Sequence, residues 1–240
     1  MKKLYILKTG STFSSTLERL GDFEGWIMAG LGEHAFPLKV IDTVNREPFP
    51  ELTDCLGIIV TGSHSMVTDN QPWSLRLESW IPSLVKADVP FLGICYGHQL
   101  LGRAMQGEVG YHPLGSEVGT VSIRLTPAAA EDPLFNGIPE QFPAHATHAQ
   151  TVLNLPREAT LLAVSDHDPH QAFRVGSCAW GVQFHPEYST VVMKADIEEQ
   201  AKSLEISGRN VADLIENVKE TPFAGKVIVN FAEFCRLYGS

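Results

Sequence analysis

Several kinds of segment that would assign a class at once are missing from this sequence. It has only four cysteines in 240 residues, Cys55, Cys95, Cys178 and Cys235, widely scattered and without a CxxC pair. That spacing is not a disulfide framework, and it fits a reducing cytoplasm. No apolar run reaches the roughly 18 residues of a membrane-spanning helix. The opening Met1-Lys2-Lys3-Leu4-Tyr5-Ile6-Leu7 is too short for a secretory leader and reads as a first strand. Basic residues are outnumbered, 18 Lys and Arg against 28 Asp and Glu, for a net charge of -10. That balance argues against nucleic acid or an anionic membrane as the main partner. Repeats, low-complexity tracts and linkers are also missing, so residues 1–240 are expected to form one domain. The Lys8-Thr9-Gly10-Ser11-Thr12 stretch lacks the GxxxxGK[ST] spacing of a phosphate loop and reads as a loop at one edge of a sheet.

What is present begins with alternation. Strand-like runs at 3–7, 37–41, 56–60 and 89–94 are separated by helical patterns near 21–28 and over 74–86. Such alternation predicts a parallel sheet with helices on both faces. From about residue 107 the pattern changes. Residues 117–125 alternate as an antiparallel strand would, and short strands are expected at 160–164, 172–175 and 179–184. Helices are expected again over 210–219 and 225–238. The predicted architecture is an α/β domain with an antiparallel insertion.

The densest chemical signal is Gly93-Ile94-Cys95-Tyr96-Gly97. An apolar strand precedes Cys95 and a helical pattern follows it. Glycines two places to either side relieve crowding in a tight strand-to-helix turn. A thiol there projects over a helix N-terminus, where it suits nucleophilic attack. A second motif, Gly181-Val182-Gln183-Phe184-His185-Pro186-Glu187, ends a strand in a histidine and puts an acid two residues later. Nucleophile, base and orienting acid then form a Cys95–His185–Glu187 triad. A third turn, Val60-Thr61-Gly62-Ser63-His64, follows another parallel strand. Its Gly62 amide and that of Tyr96 are expected to hold a developing oxyanion.

Together the Cys95 and His185 motifs resemble the class I (triad) glutamine amidotransferases, most of all the glutaminase domain of GMP synthase and its stand-alone relatives. The resemblance implies a flavodoxin-like fold with a mostly parallel central sheet, and attack on the side-chain amide of glutamine through a γ-glutamyl thioester, with release of ammonia. It assigns Gln99 to holding the substrate, and Thr147-His148 to lining its α-amino and α-carboxylate groups. Gln150 departs from the pattern, standing where GMP synthase members usually carry an acid. The resemblance implies no cofactor. The pairs His145/His148 and His167/His170 have HxxH spacing, but neither has a cysteine partner and Pro169 interrupts the second, so no metal is expected.

About fifty residues follow Glu187, and they read as helices of the same domain rather than a synthetase domain. This chain is therefore not expected to make GMP alone. The expected ligand is a small molecule, glutamine or another γ-glutamyl compound. Two alternatives stay open: a γ-glutamyl peptidase acting on glutathione-like conjugates, and a subunit or binding protein that serves a separate synthetase partner.

Overall fold

The computed structural model describes residues 2–32 and 37–238. In chain order, β1 (Lys3–Lys8), α1 (Ser14–Leu20), α2 (Phe23–Leu31), β2 (Leu38–Asp42), β3 (Cys55–Val60), α3 (Pro72–Lys86), β4 (Phe91–Ile94) and α4 (Tyr96–Ala104) alternate. Six strands follow: β5 (Glu108–Tyr111), β6 (Glu117–Leu125), β7 (Gln141–His148), β8 (Gln150–Asn154), β9 (Ala159–Val164) and β10 (Ala172–Val175). The chain then returns through β11 (Ala179–Val182) to α5 (Thr190–Glu199), α6 (Ala201–Ile206), α7 (Val211–Glu216) and α8 (Pro222–Tyr238).

Nine strands form one sheet in the order β2-β1-β3-β4-β11-β10-β9-β6-β7. The first five pair in parallel, with the order of a flavodoxin-like sheet. The other four pair antiparallel. These antiparallel strands continue the parallel sheet rather than standing apart from it. Among the described residues, only β5 and β8 form a separate two-stranded sheet.

The period-two alternation of the central strands divides the core. Leu4, Ile6, Ile59, Leu92 and Ile94 meet Ile27 of α2 and Val227, Ile228 and Phe231 of α8 on one face. Tyr5, Leu7, Ile58, Val60 and Phe91 meet Leu77 and Ile81 of α3 and Leu100 and Leu101 of α4 on the other. Covered on both faces, β3 needs apolar residues at successive positions, hence its unbroken Ile58-Ile59-Val60 run. Truncating any of these fully buried aliphatic side chains to alanine costs about 2–5 kcal/mol.

The helix expected near 21–28 is α2, and a further helix, α1, precedes it. Gly21, at φ 83°, ends α1, and the Asp22 carboxylate caps α2 by accepting from Phe23 N–H. Strands β7 and β8 and helices α5 and α6 have no counterpart in the sequence pattern. The hydrophobic face of α5 is broken by the buried Asp196, which removes a clean apolar stripe. All four cysteines are buried and free. Among the described residues, no helix is long and apolar enough to cross a membrane.

Candidate active site at the carboxyl edge of the sheet

Parallel strands deliver their C-terminal ends to one edge, where open α/β sheets bind ligands. Cys95 follows β4 directly, Gly62 stands two residues past β3, and His185 three past β11. The sequence-predicted residues Cys95, Tyr96, Gln99, Thr147, His148 and His185 all line one cleft of about 110 Å³.

Cys95 sits at φ 49°, a left-handed conformation that non-glycine residues adopt rarely and at a cost. Its N–H donates to Val182 O at 2.8 Å, tying the turn to β11. The flanking glycines are needed for space. A Cβ on Gly93 would collide with the Gly97 carbonyl, and one on Gly97 would lie 2.7 Å from Val60 O. The turn thus packs backbone against backbone, and the thiol is left at the N-terminus of α4, 6% exposed.

His185 is fully enclosed. Its Nδ1 lies 2.8 Å from Glu187 Oε1, and its ring is stacked 4.2 Å from Tyr188 with Phe23 farther off at 6.3 Å. Among the described residues Nε2 has no hydrogen-bond partner at normal length, so it is the nitrogen left for the thiol. Burial opposes a charge on this ring, but Glu187 and Cys95 outweigh it and hold the imidazole well above its ordinary pKa. Its neighbour His145, joined to it by an isolated bridge, goes the other way: burial and the His185 charge push it down to about 4. That bridge, with His185 N–H donating to His145 O at 2.8 Å, brings β7 from the far end of the sheet back to the end of β11.

Gly62 lies against the imidazole. A Cβ there would stand 2.9 Å from His185 Cε1. The Thr9 hydroxyl, from the loop after β1, lies 2.9 Å from Gly62 O and 3.0 Å from Thr61 O, so that loop underpins the turn. Tyr96 is the first residue of α4, where backbone N–H groups have no intrahelical acceptor. Its hydroxyl, 2.6 Å from Ser74, is pushed up to about 12 by burial.

Gln99 is 4% exposed and faces inward from α4. Its Nε2 donates to Gln150 O at 2.7 Å and Gln183 Oε1 at 3.1 Å. Gln150 reaches the segment before α3, donating to Thr68 Oγ1 at 2.6 Å. The Thr147 carbonyl is 3.9 Å from the Cys95 sulfur. His148 borders the cleft with both ring nitrogens spent, Nδ1 on Gln150 O and Nε2 on Glu117, each at 3.0 Å. The HxxH pair His145/His148 does not converge, since His145 Nδ1 faces Thr120.

The walls also take residues outside the sequence motifs, among them Phe23 from α2, Tyr188 after Glu187, and Gln200 at the end of α5. The nearness of Tyr188 to the HPE motif is the one sequence signal among them. No lysine or arginine is among the described residues lining the cleft.

Residues 22–202 match the family model described as glutamine amidotransferase class-I. The chain is 31% identical over 170 residues to a glutamine-hydrolyzing GMP synthase of Aeropyrum pernix, covering 68% of this chain but 31% of that protein. It thus spans under a third of that relative's length. It is 34% identical over 168 residues to a subunit of the glutamine-hydrolyzing GMP synthase of Archaeoglobus fulgidus, with 70% and 84% of the two chains covered. It is 28% identical over 215 residues to gamma-glutamyl peptidase 5 of Arabidopsis thaliana, covering 88% and 84%. A glutamine amidotransferase structure from Thermotoga maritima superposes over the whole of both chains with a TM-score of 0.77 at 22% identity, a likeness of fold.

Proposed function

The chain belongs to the class-I glutamine amidotransferase family, and from that premise we propose that it hydrolyses the side-chain amide of glutamine with Cys95 as nucleophile. One observation carries this reading. Cys95 is held at positive φ on a helix N-terminus, beside an imidazole whose Nδ1 is fixed by Glu187 and whose Nε2 is unspent. The Cys95 sulfur attacks the amide carbon of the side chain, and the Gly62 and Tyr96 amides receive the developing oxyanion. His185 Nε2 passes a proton to the departing nitrogen, so ammonia leaves and a γ-glutamyl thioester remains. Water then attacks the thioester, His185 takes its proton, and the thiolate leaves with release of glutamate. Glu187 keeps the ring in one tautomer and supports its positive charge. Gln99, Thr147 and His148 shape the part of the cleft that receives the glutamyl portion.

Ammonia release from glutamine, measured against Cys95→Ala, tests this reading. Stoichiometric ammonia and glutamate are expected from the wild type and none from the variant. The Arabidopsis peptidase aligns over more of this chain than the synthase relatives do, and that favours a second substrate class, γ-glutamyl peptides. Cleavage of glutathione-type conjugates with glutamine left untouched would select it. In either case the same thioester forms, and the leaving amine differs. If glutamine is the substrate, a separate synthetase that consumes the ammonia is the partner, and its addition should raise the rate.

A further inference from the structure

The Thr61 carbonyl and the Gly62 N–H belong to one peptide unit. In a trans unit the two point in opposite directions, so whatever fixes the carbonyl also aims the N–H. Gly62 is buried, and its N–H has no acceptor among the described residues. A buried backbone donor left unspent is rare, and it suits a partner that carries charge only during part of a reaction.

That carbonyl is held from the loop after β1. Thr9 and Thr61 are both fully buried. Thr9 Oγ1 lies 3.0 Å from Thr61 O, 3.0 Å from Thr61 Oγ1 and 2.9 Å from Gly62 O. Thr61 Oγ1 lies 2.9 Å from Gly62 O and accepts the Thr9 N–H at 3.0 Å. Each hydroxyl has one proton to give, and among the described residues no backbone N–H donates to either carbonyl. Both carbonyls are satisfied in one arrangement: Thr61 donates to Gly62 O, and Thr9 donates to Thr61 O. Thr9 is itself fixed by its surroundings. The Thr61 N–H donates to Leu7 O at 3.1 Å, and Lys8 O accepts the N–H and the hydroxyl of Thr43 at 3.0 and 2.6 Å. Thr9 is not among the residues lining the cleft, so any effect it has on a ligand passes through the Thr61-Gly62 turn.

We propose that Thr9 is a positioning residue for the oxyanion donor: its hydroxyl holds the Thr61 carbonyl and thereby aims the Gly62 N–H at the carbonyl oxygen of the bound amide. Without that hydroxyl the peptide unit is free to rotate, and charge developing on the oxygen loses part of a preorganised donor. The proposal rests on the oxyanion role given to Gly62 above and adds the residue that sets its direction. Thr9 makes no hydrogen bond to Cys95 or His185, so its loss separates acyl transfer from simple alkylation of the thiol.

Two reactions of Cys95 test this without requiring turnover of glutamine, with Cys95→Ala as the blank for the other cysteines. Iodoacetamide alkylates the thiolate by displacing iodide, and no oxygen gains charge. p-Nitrophenyl acetate acylates it: a C–S bond forms, the carbonyl oxygen becomes an oxyanion, and p-nitrophenolate leaves. Thr9→Val keeps the shape and loses the hydroxyl. Its ratio of acylation to alkylation rates should fall about tenfold, less than the loss of an oxyanion donor itself would cause. Alkylation alone should follow the wild-type rate at every pH. Thr9→Ser, which keeps the hydroxyl, should recover most of the ratio. If Thr9→Val melts too low to assay, Thr9→Ala takes its place. An unchanged ratio in the hydroxyl-free variant, an equal loss in Thr9→Ser, or a wild type that is alkylated but never acylated overturns the positioning role. On glutamine, kcat should fall by the same factor with little change in KM. Ammonia release assayed on the same samples separates the two claims. A lowered ratio with glutamine untouched by the wild type sinks the hydrolase reading alone; glutamine turnover with an unchanged ratio sinks the role of Thr9 alone.

Discussion

His185 and His148 stand at nearly equal distances from buried carboxylates, 2.8 Å from Glu187 and 3.0 Å from Glu117. Both border the same cleft and both are almost inaccessible to solvent. They differ in the second nitrogen. In His148 it is occupied by the Gln150 carbonyl, and Glu117 is further held by Ser165 and Gln171. In His185 it has no partner at hydrogen-bond length and lies beside a thiol. A histidine-carboxylate pair is thus a structural unit until one ring nitrogen is withheld from the network. Distance to the acid does not separate the two roles; the unspent valence does.

The largest expected effect is on the His185 side. Cys95→Ala and His185→Ala should each lower ammonia release from glutamine by about four orders of magnitude, with melting temperatures close to wild type. Comparable loss from a conservative His148 variant of normal stability would break the distinction. Glu117→Gln comes next and acts on stability. Breaking one partner of a buried pair should cost about 3–5 kcal/mol in denaturant unfolding, while the alkylation rate of Cys95 in the folded protein stays unchanged. A normal unfolding midpoint with slowed alkylation would show that this network also serves the thiol.

Glu187→Gln keeps the shape and removes the charge, and kcat should fall about a hundredfold with little change in KM. The smallest effect is a pH slope. Glu187 and Cys95 hold the folded His185 above its unfolded value of 6.5. The folded state therefore keeps a proton that the unfolded chain has lost. This stabilisation is complete below pH 6.5 and fades as pH rises through the folded value. Melting temperature should fall over that alkaline range in the wild type and less steeply in Glu187→Gln; parallel slopes would contradict the pairing. His145 has the opposite sign, because its folded value near 4 lies below the unfolded one. Its contribution is lost as pH falls from 6.5 toward 4.

The parallel half of the fold is legible in the sequence because each of its cues is local. Fully apolar strands announce burial on both faces, and glycines around Cys95 announce a backbone with no room for a Cβ. Pro186 and Glu187 mark the loop that puts an acid two residues past His185. The far half is harder to read. Strands β7 and β8 carry histidine, glutamine and threonine at buried positions, so hydrophobic alternation fails even though both are well paired. Helix α5 buries Asp196 in what would be its apolar stripe. Polar residues at buried positions conceal the element that carries them.

By itself the sequence determined the Cys95 turn, the His185-Pro186-Glu187 loop and the parallel sheet that brings them to one edge. Steric crowding, backbone restriction and strand periodicity act over a few residues and can be read in order along the chain. Tertiary structure alone decided that β7 returns to meet the end of β11, that His148 spends both nitrogens, and that Gln200 hydrogen-bonds both Thr147 and the buried Asp196. Those outcomes depend on which polar groups find partners after the chain has closed on itself. Hydrogen-bond valence is settled by contacts between residues far apart in sequence, and no local pattern encodes it.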